Sequence, residues 1–217
     1  MKARSLRGLV LTLVVLGITV GVINGGVCLA DEIIEKDKIN VVGFRVGDPY
    51  YYVVDTDGVV HKTEMDAVPY KTKGMTYVSV KHLCNALGVP DDKLEWNAKG
   101  KILTIKGDAE ITLFVGMSVM RVGYDAILMD AKPEVVPPGR VMFLASYIAE
   151  PLGFTVNWVP SWQLVVCYPE SIESPNVEKI IDDLKANGVR ELEIDTEALT
   201  AEILLRMKNS IFGYDPY

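Results

Sequence analysis

The chain has 217 residues, of which 22 are basic and 29 acidic, giving a formal net charge of −7, and 49% of it is hydrophobic. An acidic surface repels phosphate backbones, which argues against nucleic acid as a partner, and three cysteines are too few for a disulfide-dense scaffold. The apolar fraction is enough to build a core in one large or two small domains.

Lys2, Arg4 and Arg7 open the chain, and residues 8–30 carry no charge. Asn24-Gly25-Gly26 then breaks the apolar run, and Cys28 and Ala30 place small residues at −3 and −1 before Asp31. That order predicts a signal peptide over 1–30, and hence a secreted or cell-surface protein. The uncharged run is also long enough to span a bilayer, so membrane association is expected only if this segment is not cleaved. Cleavage would remove three positive charges and no negative one, taking the net charge from −7 to −10. Cys84 and Cys167 would remain, either paired or as two buried thiols.

The middle of the chain repeats itself. Gly74 and Gly139 are 65 residues apart, as are Leu87-Gly88 and Leu152-Gly153. Trp96 and Trp158 are 62 apart, so the first segment has three extra residues around Pro90-Asp91-Asp92. Upstream, Phe44-Arg45-Val46-Gly47 corresponds to Leu113-Phe114-Val115-Gly116, and Asp66-Ala67-Val68-Pro69 to Asp130-Ala131-Lys132-Pro133.

Within the first segment, 50–54 and 59–62 are rich in β-formers, and Asp57-Gly58 between them signals a tight turn. Val80, Leu83, Cys84 and Leu87 fall at helical spacing and Gly88 stops the helix. Residues 94–96 and 102–105 read as a hairpin. The second segment repeats this with Leu144, Tyr147, Ile148 and Leu152, closed by Gly153, and Pro151 should end its helix early. A short helix beside antiparallel strands buries its stripe against them, which predicts an α+β fold. The expected organisation is two tandem units over 39–106 and 107–168, each a short helix clasped by a twisted antiparallel sheet. A helix-strand-helix tail follows over 174–217, with Asn176 near its start and Asn187-Gly188 ending its first helix.

The segments VPYKTKGMTYVSVKHLCNALGV and KPEVVPPGRVMFLASYIAEPLGFTVNW resemble the copper amine oxidase N-terminal-like (stalk) domain, in two tandem copies between Ile39 and Tyr168. The resemblance implies a helix held by an antiparallel sheet in an exported bacterial protein. It does not imply oxidase chemistry. The cofactor-forming Tyr of those enzymes needs a preceding Asn, whereas this chain has Phe212-Gly213-Tyr214-Asp215, and their copper needs three His where this chain has two. The segments depart from the family pattern at Lys81, Asn85 and Ser146 and keep its Glu at Glu150.

Other chemistry is thinly supported. His61 and His82 are too few for a zinc or copper site. His82 and Cys84, two apart on a helix, face different ways and cannot act as base and nucleophile. Asp55-Thr56-Asp57-Gly58 resembles the start of a calcium loop but continues as a strand. Trp96 and Trp158 occupy the repeat's own position, where core packing is expected. Trp162 stands in the second hairpin turn and is the better contact candidate. So are Tyr50 and Tyr52, which alternation puts on one strand face.

The expected function is therefore a non-enzymatic binding or scaffolding module at the cell surface. Its partner would be a cell-wall polymer or another exported protein, and it would need no cofactor or metal. The alternatives are an accessory or weak hydrolase of cell-wall glycan or peptide, using carboxylates the sequence does not place, and a metal-handling protein.

Overall fold

The computed structural model describes residues 33–173, 175–186 and 188. The signal-peptide region and the tail beyond 188 lie outside them. The described chain is an α+β fold of antiparallel strands and short helices.

The strands of the first segment are β1 (Ile39–Arg45), β2 (Tyr50–Asp55), β3 (Val60–Glu64), β4 (Tyr70–Thr72) and β5 (Met75–Ser79). Helix α1 (Val80–Ala86) follows, then β6 (Leu94–Asn97) and β7 (Ile102–Lys106). The second segment supplies β8 (Glu110–Phe114), β9 (Val119–Val122), β10 (Asp125–Leu128), β11 (Glu134–Val136) and β12 (Arg140–Leu144). After these come α2 (Ser146–Ala149), β13 (Phe154–Val159), β14 (Leu164–Pro169) and the C-terminal α3 (Val177–Ala186).

These strands do not form two self-contained units. A closing sheet runs β13-β14-β1-β2-β3, a middle sheet runs β10-β9-β8-β7-β6, and a bridging sheet runs β11-β12-β5-β4. Each sheet takes strands from both segments. The boundary expected at 106/107 fails for a local reason. Three residues link β7 to β8, so the two strands pair as a hairpin, with Leu103 opposite Leu113 and Ile105 opposite Ile111.

The two five-stranded sheets share one register. Val42, Gly43, Phe44 and Arg45 face Cys167, Val166, Val165 and Leu164. The corresponding Ile111, Thr112, Leu113 and Phe114 face Ile105, Thr104, Leu103 and Ile102. The turn bonds repeat as well. The Val46 N–H donates to the Gln163 carbonyl at 3.0 Å and the Val115 N–H to the Lys101 carbonyl at 2.9 Å. In the bridging sheet Val78 lies opposite Phe143, 65 residues away, with Tyr77–Leu144 and Ser79–Met142 on either side. A local pseudo-two-fold relation therefore passes through the Val78–Phe143 pair.

One main core joins all three sheets. It includes Phe44, Val53, Val78, Leu83, Leu113, Phe143, Ile148 and Phe154. Helix α1 packs on β2, β5, β12 and α2. It ends as predicted, with Gly88 in the left-handed region (φ +81°), where an added Cβ would lie 3.1 Å from the Lys36 backbone. Pro151 does curtail α2, which passes into a 3-10 turn over Glu150–Leu152 before Gly153. Lys36 ties the start of the chain to this turn by donating to the Leu152 carbonyl at 2.6 Å, and it also pairs with Asp108.

A second cluster forms on the outer face of the closing sheet, where α3 supplies Ile180 and Leu184. The Asn176 side chain caps α3 by accepting the N–H groups of Glu178 and Lys179 at 3.0 and 3.2 Å. Of the expected tail, this helix lies within the described residues.

Candidate binding grooves

The three contact candidates come together on the outer face of the closing sheet, where Trp162 and Tyr52 are buried in the cluster that α3 completes and Tyr50 packs half-buried against it. Trp162 is 5% exposed, which corrects the expectation of an exposed turn residue. A 3-10 turn over Pro160–Trp162, followed by Gln163 at φ +46°, folds the ring back onto the sheet. There it lies 5.8 Å from the Arg45 guanidinium and 5.4 Å from the Lys185 ammonium. The strand alternation holds: Tyr51 enters the main core and Tyr52 the second cluster. The buried Tyr52 hydroxyl donates to Asp48 at 3.0 Å. Burial and the Asp48 charge raise its pKa. Tyr50 is half-buried, with the Lys62 ammonium 3.9 Å from its ring centroid.

Trp96 and Trp158, expected in the core, are 47% and 36% exposed. Each stands on an edge strand, β6 or β13, and so lacks a neighbouring strand on one side. Each borders a groove. The larger, about 380 Å³, is lined by Met75, Thr76, Leu144, Ser146, Asn157 and Trp158, among others. The smaller, about 200 Å³, is lined by Lys81, Leu94, Trp96, Leu103, Arg140 and Val141. Each residue lining the smaller groove has its counterpart in the larger one, among them Trp96 with Trp158, Lys81 with Ser146, Arg140 with Met75, and Val141 with Thr76. The repeat signal pointed to both tryptophans. Reading them as core missed that an edge strand leaves a flank open.

Beside the smaller groove lies a polar cluster. Arg140 Nε is 2.9 Å from both Asp66 oxygens. His82 Nε2 is 3.5 Å from Asp66, and His82 Nδ1 is 2.8 Å from Ser79 Oγ. A Ser, His and Asp in sequence of contact resemble a nucleophilic triad. Ser79, however, is fully buried at the start of α1, so a substrate has no route to its hydroxyl. The trio fastens α1 to the loop between β3 and β4 that carries Asp66. The second segment has the same fastening in different chemistry, with the Tyr147 hydroxyl donating to Asp130 at 2.9 Å.

The ionisable groups point the same way. The hydrogen bond and charge of Arg140 hold Asp66 below the usual carboxylate range, against its burial. His61 and turn N–H groups lower Asp55. Asp91 is also lowered, because bonds from Lys81 and Asn85 outweigh its burial. A general acid needs a raised value instead. The Asp55 carboxylate is occupied within its own turn, accepting the N–H groups of Asp57 and Val59 at 2.9 and 2.8 Å. Cys84 and Cys167 are buried free thiols, and burial raises both, Cys167 to about 12, which makes them poor nucleophiles. Among the described residues, no three of His, Cys, Asp and Glu gather as a metal site.

The copper amine oxidase N-terminal domain model matches residues 57–166, just over half of the 217-residue chain. The chain belongs to that family. The matched range runs from the β2–β3 turn into β14 and so takes in both grooves and parts of both segments. The family's namesake domain is non-catalytic, which is compatible with a chain that is not an enzyme. Neither a curated protein nor a solved structure matches the chain.

Proposed function

We propose that this protein is a non-catalytic binding module that works outside the cytoplasm, at the bacterial cell surface. One observation carries the binding reading: an exposed tryptophan borders a groove at two places related by the same residue correspondence. A large aromatic left half-exposed beside a concavity has a cost unless something covers it. Here that arrangement occurs twice, while the third tryptophan is buried.

Export rests on the order of Lys2, Arg4 and Arg7, the uncharged residues 8–30 and the small residues before Asp31. The reading of 39–106 and 107–168 as two copies of one ancestral segment is supported by the shared 65-residue offset of Gly74/Gly139 and Gly88/Gly153 and by the matching register. Such copies would have exchanged hairpins to build a single body.

The test has two parts. Expressed from its own start, the chain should accumulate outside the cytoplasm with Asp31 as its N-terminus. The purified chain should co-sediment with cell-wall glycan or capture an exported protein. A chain that stays inside, or that binds neither, ends this reading.

A further inference from the structure

Resting on that reading, we infer that the larger groove binds an uncharged glycan carrying N-acetylated sugars, with Trp158 as its platform. The smaller groove would be an auxiliary subsite for the same polymer.

Size separates the two grooves. About 380 Å³ lies within the range of roughly 300–1,000 Å³ typical of small-molecule sites, and about 200 Å³ lies below it. The primary site is therefore the one at Trp158.

Charge selects the ligand. The residues lining the larger groove are all uncharged. The cations of the smaller groove are already engaged, Arg140 with Asp66 and Lys81 with Asp91 at 2.7 Å. Neither groove offers an unengaged lining cation to a carboxylate or phosphate, and the whole chain is acidic. An anionic polymer would be repelled at long range, and the Lys71 ammonium beside the platform is held over the Trp158 ring.

Shape and polarity then narrow the neutral candidates. The indole presents a flat apolar surface to the C–H face of a pyranose. Lys71 Nζ lies over the Trp158 ring, 5.0 Å from its centroid. Met75, Leu144 and Val156 give the groove an apolar floor that suits an acetamido methyl. Ser146 stands beside it as a partner for the amide. A plain hexose would leave the apolar floor unfilled.

The probe is the β-1,4-linked tetramer of N-acetylglucosamine, titrated against the full chain by calorimetry. A glucose tetramer and a uronic acid tetramer serve as comparisons. Trp158→Ala should weaken the N-acetylated tetramer by about ten-fold or more, and Trp96→Ala by clearly less. Ser146→Glu provides a second variant, chosen because the matching position carries the long side chain of Lys81, and its unfolding midpoint checks that it folds. It should abolish binding by filling the groove. Three results would overturn the inference: tetramer binding unchanged in Ser146→Glu, a uronic acid or glucose tetramer bound as tightly, or no tetramer binding at all. Retention on cell-wall material without tetramer binding would sink the ligand assignment alone. Loss of both, with no exported protein captured, would also remove the reading beneath it.

Discussion

The closing and middle sheets have the same strand order and register yet opposite outer faces. Across the closing sheet one row reads Asn157, Val166, Gly43, Tyr52 and Lys62. The matching row of the middle sheet reads Glu95, Thr104, Thr112, Arg121 and Ala126. At the turn, Trp162 stands where the middle sheet has Gly100. The apolar version is covered by α3, and the polar version has no such helix among the described residues. Inner rows, bound by the shared core, keep the fold. Outer rows, free of it, decide what packs on each sheet.

The comparison can be broken most forcefully at Trp162. Trp162→Ala should cost about 3–5 kcal/mol, because it leaves a cavity beneath α3, read as a shifted urea midpoint. Early proteolysis near α3 should accompany it. A loss below about 1 kcal/mol would mean the helix does not depend on that ring.

Exchanging single outer residues sharpens the contrast. Val166→Thr places a hydroxyl in the buried second cluster and should cost about 1–3 kcal/mol. The mirror change, Thr104→Val on the middle sheet, should stay within about 0.5 kcal/mol. Equal effects by chemical denaturation would contradict the assigned difference in cover.

The two helix stops differ in a related way. Gly88→Ala meets both a positive φ and the Lys36 backbone at 3.1 Å, and should cost more than about 1 kcal/mol. Gly153→Ala meets the flexible end of Lys36 at 3.5 Å and should cost less in thermal unfolding.

The smallest effect is on pH dependence, and it separates the His82 fastening from the Tyr147 one. Burial lowers the His82 pKa, with Asp66 opposing and Lys81 and Arg140 assisting. The unfolded chain therefore takes up a proton first as pH falls through about 6.5, and stability should decline below that point. In His82→Gln this decline should vanish. Asp66, held low, keeps its own contribution until pH falls below the usual carboxylate range. An unchanged slope in the variant would remove His82 as its source.

Much of the local structure was legible in the sequence. The stripe Val80, Leu83, Cys84 and Leu87, closed by Gly88, is an α-helical period with its stop, and α1 follows it. Pro151 announced the short α2, and Asp57-Gly58 the β2–β3 turn. The sheet partners were not legible, because Val42 pairs with Cys167 from the other end of the described chain, and no local pattern encodes that choice. The tryptophans misled for the same reason. Whether Trp158 or Trp162 is covered depends on an edge strand and on a helix more than ten residues downstream. The grooves were visible only as a repeated Trp, and the larger one required Met75 of β5, Ser146 of α2 and Trp158 of β13 to be brought together from three separate elements.

The most direct measurement is retention of the purified chain on insoluble cell-wall glycan, comparing the wild type, a Trp96→Ala/Trp158→Ala double variant and Thr104→Val. Binding through the paired grooves predicts that the double variant is lost to the supernatant while its unfolding midpoint stays near that of the wild type, and that Thr104→Val is retained. Equal retention of all three would contradict it.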